Sequence, residues 1–293
     1  MTGRPFTIAG GIDDKASKCT PDHLTFYVSP PRQILLSNII SAGKRKASNH
    51  TQTKFRREKW IMHTILELPP WERLLKRIVW EQLGNVEGKR ILDFGSGEGI
   101  TANYLAERNL VVAVEPSEEM LGKRWGDYEY TQIVGDASKL SELEDASFDM
   151  IICHNVLEYI DDKEQVINEL HRLLKTGGIL SVIKHNRAGR VMQMAVLLDD
   201  LVKANELLDG KDGESLKFGA IRYYEDDQIT GWNRGLKLFD VFGIRTFWDL
   251  QQNQEKHGTE EWQSQMIQLE MRVSQIEEFR KIAFFHHLLF RKE

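Results

Sequence analysis

Ile91-Leu92-Asp93-Phe94-Gly95-Ser96-Gly97-Glu98-Gly99 is the stretch that decides the fold of this chain. A short apolar run enters a glycine-rich turn, and a helical pattern follows from Ile100 to Glu107. Glycines in such a turn take torsions that other residues avoid and let a ligand approach the backbone closely. A purely structural turn is the plain alternative, and the context weighs against it. Glu115 stands 20 residues after Gly95, at the end of a second apolar run, Leu110 to Val114. A carboxylate there can accept both hydroxyl hydrogens of a ribose.

Further along, Ile133-Val134, Met150 to Cys153 and Ile179 to Ile183 read as buried parallel strands. Between the last two, Val166, Ile167, Leu170, Leu173 and Leu174 form one helical face, closed by Lys175-Thr176-Gly177-Gly178. Upstream, Leu74, Leu75, Ile78, Val79 and Leu83 recur at helical spacing and stop at Gly84. Strand and helix alternate, and right-handed crossovers then favour a parallel sheet covered on both faces. The expected class is α/β: a doubly wound, Rossmann-like, mostly parallel sheet with its core over residues 90–185. A helical insertion is expected after the fifth strand, at about 189–218, with an apolar helix over Val191 to Leu208 that could cap a site. A helix near Asp226 to Leu238, a strand around Val241 to Phe247, a helix marked by Trp262, Met266, Leu269, Val273 and Ile276, and an apolar run from Ile282 to Phe290 complete the chain.

A dinucleotide site competes for the glycine turn, because Gly-x-Gly-x-x-Gly also opens a βαβ unit with an acid about 20 residues on. Two residues oppose it. Ile100 is too large for the third small position, and Asp93 places a carboxylate where dinucleotide-binding strands usually hold an apolar residue. A carboxylate there suits a ligand with an ammonium group and no pyrophosphate. At these residues the chain resembles the class I S-adenosylmethionine-dependent methyltransferases (type 11), whose first motif reads acid-x-Gly-x-Gly-x-Gly.

The resemblance runs over residues 90–185 and implies S-adenosylmethionine as cofactor. It implies that Gly95, Ser96, Gly97 and Gly99 pack against the methionine part, that Asp93 lies near the ammonium, and that Glu115 holds the ribose. Asp136, followed by Ala137, is placed beside the adenine amino group, although an Asp after a strand is also a common turn former. The fourth strand delivers His154 and Asn155 to the carboxyl edge, where open α/β sheets bind ligands. A structural histidine is the alternative for His154.

A narrower resemblance links His154 to Ile160, Lys184-His185-Asn186-Arg187 and Gly243 to Asp249 with the bacterial tRNA 5-carboxymethoxyuridine methyltransferases. It implies methyl esterification of a carboxymethyl group on a tRNA wobble uridine, with tRNA as partner. Arg73 is the nearest counterpart of that family's cofactor-contacting arginine and falls out of register. A carboxylate acceptor is already ionised at neutral pH and needs a cation to orient it more than a base. Arg245 is the candidate orienter, with Arg222, Tyr223 and Tyr224 behind it; the catalytic residues are otherwise unassigned. The alternatives are a methyltransferase acting on a small metabolite such as a quinone precursor, and a non-catalytic S-adenosylmethionine-binding protein.

Composition sets outer limits. The 293 residues are 41% hydrophobic and 28% charged, ordinary for a globular protein. Cys19 and Cys153 are far apart and lack neighbours at ligand spacing, so neither a disulfide framework nor a metal site is expected, and a reducing cytoplasm fits. No run approaches the roughly 18 apolar residues of a membrane span, and the first residues lack a signal peptide's apolar core. Residues 1–61 hold 11 Lys and Arg against 4 Asp and Glu, leaving 28 against 40 for the rest. That basic segment, without sustained periodicity, is expected to be a disordered extension, with the methyltransferase domain spanning 62–293. The acidic remainder argues against tight sequence-independent nucleic-acid binding, while leaving room for a local basic face.

Overall fold

A computed structural model describes residues 65–293 apart from Leu216; the segment 1–61 and the boundary at Met62 lie outside the described residues. Helix α1, Pro70–Leu83, starts with a proline whose missing N–H costs nothing in the first turn, and stops at Gly84. The strands follow as β1 Arg90–Phe94, β2 Leu110–Glu115, β3 Thr131–Val134, β4 Phe148–His154 and β5 Leu174–His185. Between them run α2 Ile100–Ala106, the short α3 Glu118–Leu121 and α4 Lys163–Leu173.

The sheet has seven strands in the order β3-β2-β1-β4-β5-β9-β8, where β8 is Leu236–Ile244 and β9 is Phe285–Lys292. The first five are mutually parallel, and β9 runs antiparallel to both β5 and β8. The strand order reverses between β1 and β4, and in open α/β sheets ligands bind outside the carboxyl ends at such a switch point. Gly95 and His154 follow from those two strand ends.

Side-chain alternation along the strands builds two cores. Ile91, Val111 and Ile152 face α1 and α8 (Glu260–Val273), through Leu74, Ile78 and Ile267. Leu92, Ile151 and Cys153 face the other way, onto Val166, Ile167 and Leu170 of α4. Both faces are covered, as near-continuous apolar strands require. Burial raises the Cys153 thiol well above its ordinary pKa, so it stays an inert core residue.

Three expectations change in detail. Lys175-Thr176-Gly177-Gly178 lies inside β5; a register shift against β4 between Phe148 and Met150 absorbs the irregularity. The stretch expected as one helix is broken into α5 Arg187–Met192, a π turn over Gln193–Leu197 and α6 Leu201–Leu208. The break falls at Asp199, with φ of 51°, and Asp200, whose side chain caps α6 by accepting from the Lys203 N–H. A hairpin, β6 Gly213–Ser215 with β7 Gly219–Ile221, follows. Third, α7 is confined to Gln228–Trp232, and β8 starts earlier than its apolar run suggests. The short α9, Glu277–Arg280, leads into β9. Among the described residues, no helix is long and apolar enough to cross a membrane, and no cluster of His, Cys, Asp and Glu is arranged to hold a metal.

Candidate active site

The glycine turn is held open by its own backbone. Gly95, Gly97 and Gly99 have φ of 75°, 58° and 73°, the left-handed region that favours glycine. Gly95 N–H and Ser96 N–H both donate to Val114 O, which ties the turn to β2. Glu115 completes the tie: Oε2 accepts from Gly97 N–H at 2.8 Å and Oε1 from Ser117 N–H at 2.9 Å. The acid assigned to a ribose therefore also shapes the loop, and each oxygen keeps lone-pair capacity for a further donor.

A cavity of about 860 Å³ opens beside this turn. Gly95, Ser96, Gly97 and Glu115 line one side; Asp136, Ala137 and His154 line another. Asp136 spends one oxygen capping the turn of 3₁₀ helix at Ala137–Glu142, accepting from Ser138 N–H at 2.9 Å. Asp93 and Gly99 do not line the cavity but sit behind the turn. Asp93 is 3% exposed, and its Oδ2 has no hydrogen-bond partner among the described residues. Burial raises its carboxyl to about 6, against the lowering effect of Lys76 and with a smaller upward push from Glu115.

His154 is fixed from behind. Its Nε2 lies 2.8 Å from Ser181 Oγ, which lies 2.8 Å from His287 Nε2; His287 Nδ1 lies 2.8 Å from Gln82 Oε1. Gln82 Nε2 donates to Gly243 O, so Gln82 Oε1 must accept from His287 Nδ1–H. His287 Nε2 then accepts from the Ser181 hydroxyl, and Ser181 Oγ accepts from His154 Nε2–H. The remaining nitrogen of His154, Nδ1, is left with a lone pair. Because this chain ends on an amide and a carbonyl, neither of which titrates, it locks a tautomer and delivers no proton. Burial, then His287 and Lys76, hold His154 well below its ordinary pKa, and burial alone takes His287 to about 3.

The structure adds residues the sequence reading did not single out. Trp71, Glu72, Leu75 and Lys76 of α1 line the cavity, as do Lys217 and Phe218 from the β6–β7 loop. Lys76 Nζ donates to Thr101 Oγ1 at 3.0 Å, facing the side on which Asp93 lies. Arg73, in contrast, is turned away and donates to Gly258 O at 3.4 Å.

Arg245 requires a correction. It does not line the cavity and is 7% exposed. Its Nε donates to Asp249 Oδ2 at 2.8 Å, its Nη2 donates to Asp249 Oδ1, and Asp249 is itself 3% exposed. The guanidinium lies over Phe284 at 4.9 Å and Phe285 at 5.3 Å. Its charge is met inside the protein, four residues away in sequence. Arg222 is likewise engaged, with Asp161 and the carbonyl of Tyr159, and Tyr224 is buried against Trp232.

The orphaned Oδ2 of Asp93 and Oγ of Ser96 fit a ligand with polar groups at the turn, and the glycines leave room for it. A Cβ on Gly97 would reach 3.3 Å from Met120 Cε, narrowing the cavity wall. Residues 92–182 match the methyltransferase domain family. The chain is 28% identical over 238 residues to the tRNA 5-carboxymethoxyuridine methyltransferase of Escherichia coli O157:H7, covering 75% of this chain and 88% of that protein. It is 27% identical over 179 residues to the ubiquinone biosynthesis O-methyltransferase of Pseudomonas aeruginosa LESB58, covering 57% and 73%. A methyltransferase of Haloferax volcanii, solved with a methyltransferase activator, shares the fold with a TM-score of 0.50 at 15% identity, over 84% of this chain and 97% of that one. Domain, fold and glycine turn agree: residues 92–182 form a methyltransferase domain, and the chain is an S-adenosylmethionine-dependent methyltransferase, an enzyme whose cofactor is S-adenosylmethionine.

Proposed function

We propose that this methyltransferase esterifies a carboxymethyl group on a tRNA wobble uridine. The observation that carries the reading is the reach of the similarity. The match to the tRNA enzyme spans 88% of that protein, whereas the match to the quinone enzyme spans 73%. The chemistry of the cavity favours the same reading. When bound, S-adenosylmethionine supplies a methyl on a sulfonium, ready for in-line displacement. A phenolic acceptor, with a pKa near 10, needs a base beside it. His154 is a poor one, since burial and its neighbours disfavour the protonated ring. A carboxylate needs none.

In this reading Gly95, Ser96 and Gly97 cradle the methionine part with Gly99 shaping the turn behind them, Glu115 accepts from the ribose, Asp136 and Ala137 border the adenine, and His154 offers Nδ1 as a neutral acceptor. Asp93 and Lys76 provide opposite charges for an ammonium and a carboxylate. Cofactor affinity should then depend on pH through Asp93. Its pKa is raised to about 6, so the carboxyl is ionised above that pH and protonated below it. A bound ammonium favours the ionised form, so affinity is full above pH 6 and falls by up to about tenfold per unit below it. Calorimetry across pH 5 to 8 checks this, and Asp93→Asn should flatten the curve. An acid limb that persists in the variant assigns the effect to another group.

The acceptor is tested by deleting the gene and comparing digested tRNA nucleosides by mass spectrometry. A free acid should accumulate as its methyl ester disappears, and purified enzyme with cofactor should restore the ester. Unchanged nucleosides, together with turnover of a dihydroxybenzoate, would move the assignment to quinone precursors.

A further inference from the structure

With Arg245 neutralised by Asp249, the cation that meets an acceptor must be another. Arg190, on the last turn of α5, is that candidate. It is half-buried and makes no ion pair among the described residues; its side-chain hydrogen bond goes to the neutral amide oxygen of Gln193. Its guanidinium lies 5.6 Å from the centre of the Phe284 ring, and burial pulls it below its ordinary pKa. A partly desolvated guanidinium without a direct counter-ion is costly to hold, and an incoming anion recovers that cost.

The surroundings are built for a polar group. Tyr223 Oη and His185 Nδ1 are buried without hydrogen-bond partners among the described residues, and both rings feel the Arg190 charge. Tyr223 is held by the Arg187 guanidinium, 4.5 Å from its ring centre. Arg190, Tyr223 and His185 lie behind the cavity wall and do not line it; Tyr159, which does, lies within the field of Arg190 and stands between this cluster and the methyl-donor site. Asp249 is a carboxylate that acts on Arg190 from a distance, reached through Gln193, whose Nε2 donates to Asp249 Oδ1 at 2.9 Å, and its own charge is already shared with Arg245.

We propose that Arg190, backed by the Tyr223 hydroxyl, orients the acceptor, and that the group it takes is a carboxylate held beside Tyr159 at the edge of the cavity. The choice of a carboxylate rests on the functional reading above; the position of the cation does not. The Arg190 fork can donate two parallel N–H bonds to the two oxygens, a geometry that a lysine does not reproduce.

The test uses the full chain loaded with S-adenosylhomocysteine and two free nucleosides as probes, 5-carboxymethoxyuridine and uncharged 5-methoxyuridine, with binding followed by NMR. The wild type should prefer the carboxylate by about tenfold to a hundredfold. Arg190→Gln should abolish that preference and Arg190→Lys should keep part of it, both with unchanged cofactor affinity as evidence of folding. Lys237→Gln, on an exposed residue paired with Glu293, should keep it in full. A preference that survives Arg190→Gln overturns the proposal, as does a wild type that binds the two nucleosides equally or binds neither. If the preference depends on Arg190 while tRNA nucleosides are unchanged by gene deletion, the cation assignment stands and the tRNA reading fails. If deletion removes the tRNA ester but Arg190→Gln restores it as well as wild type does, the reverse holds.

Discussion

Glu115→Ala is expected to lower the affinity for S-adenosylmethionine by about a hundredfold, more than the loss of one ribose contact alone. The carboxylate accepts from Gly97 N–H and Ser117 N–H, and both donors lose their partner in the variant. A buried donor left without an acceptor costs about 1–3 kcal/mol, and relaxation of the turn recovers part of it. The hydroxyl pair of the ribose loses its acceptor as well. Glu115→Gln should fall between the two, because one amide oxygen still accepts while the NH₂ group faces a backbone N–H. Titration calorimetry on the three proteins measures the series. Unchanged affinity in Glu115→Ala would remove Glu115 from both roles and leave the glycines alone to hold the turn.

That dual role explains what the sequence could and could not reveal. Strands β1, β2 and β4 are legible because a strand buried on both faces must be apolar along its whole length, and Ile91-Leu92, Val111 to Val114 and Ile151 to Cys153 are. The turn is legible because its torsions demand glycine. Glu115 is legible by spacing, yet its bonds to Gly97 and Ser117 are set by the side-by-side register of β1 and β2. Spacing cannot show them.

The α1 contribution was hidden for a different reason. Leu74, Ile78 and Val79 mark the face that packs on the sheet, but the pattern does not say which end of the helix reaches the carboxyl edge. Lys76 on the flank of that face looks like any solvated lysine until the fold brings it opposite Thr101 and near Asp93. The relay behind His154 is less legible still. Gln82, His154, Ser181 and His287 come from α1, β4, β5 and β9, and nothing local links them. Arg190 belongs to the same class: its interest lies in making no ion pair among the described residues, and partners missing in space leave no mark in a sequence. Arg245 shows the opposite error. Asp249 stands four residues on, and an Arg and an Asp that close can pair within one turn of chain, here with Arg245 at φ of 60°.

Arg245→Ala should therefore act on stability before it acts on transfer. Removing the guanidinium leaves Asp249 buried with the Gln193 amide and the more distant Arg190 charge to meet it among the described residues. Breaking a buried pair from one side costs roughly 3–5 kcal/mol, which for a domain of this size corresponds to a fall in Tm of about 10 °C. Burial already raises the Asp249 carboxyl despite Arg245, so losing that partner should raise it further and soften part of that cost. Replacing both partners, Arg245→Met with Asp249→Leu, should recover most of the loss, because no charge is then left in the interior. Arg190 would lose its electrostatic tie to Asp249 in the double variant, and its hold on an incoming carboxylate should tighten. Thermal unfolding of the single and double variants, followed by acceptor KM on whichever remain folded, separates the two roles. A single variant that melts like wild type but shows a raised KM for the acceptor would return Arg245 to the acceptor site and displace Arg190 from it.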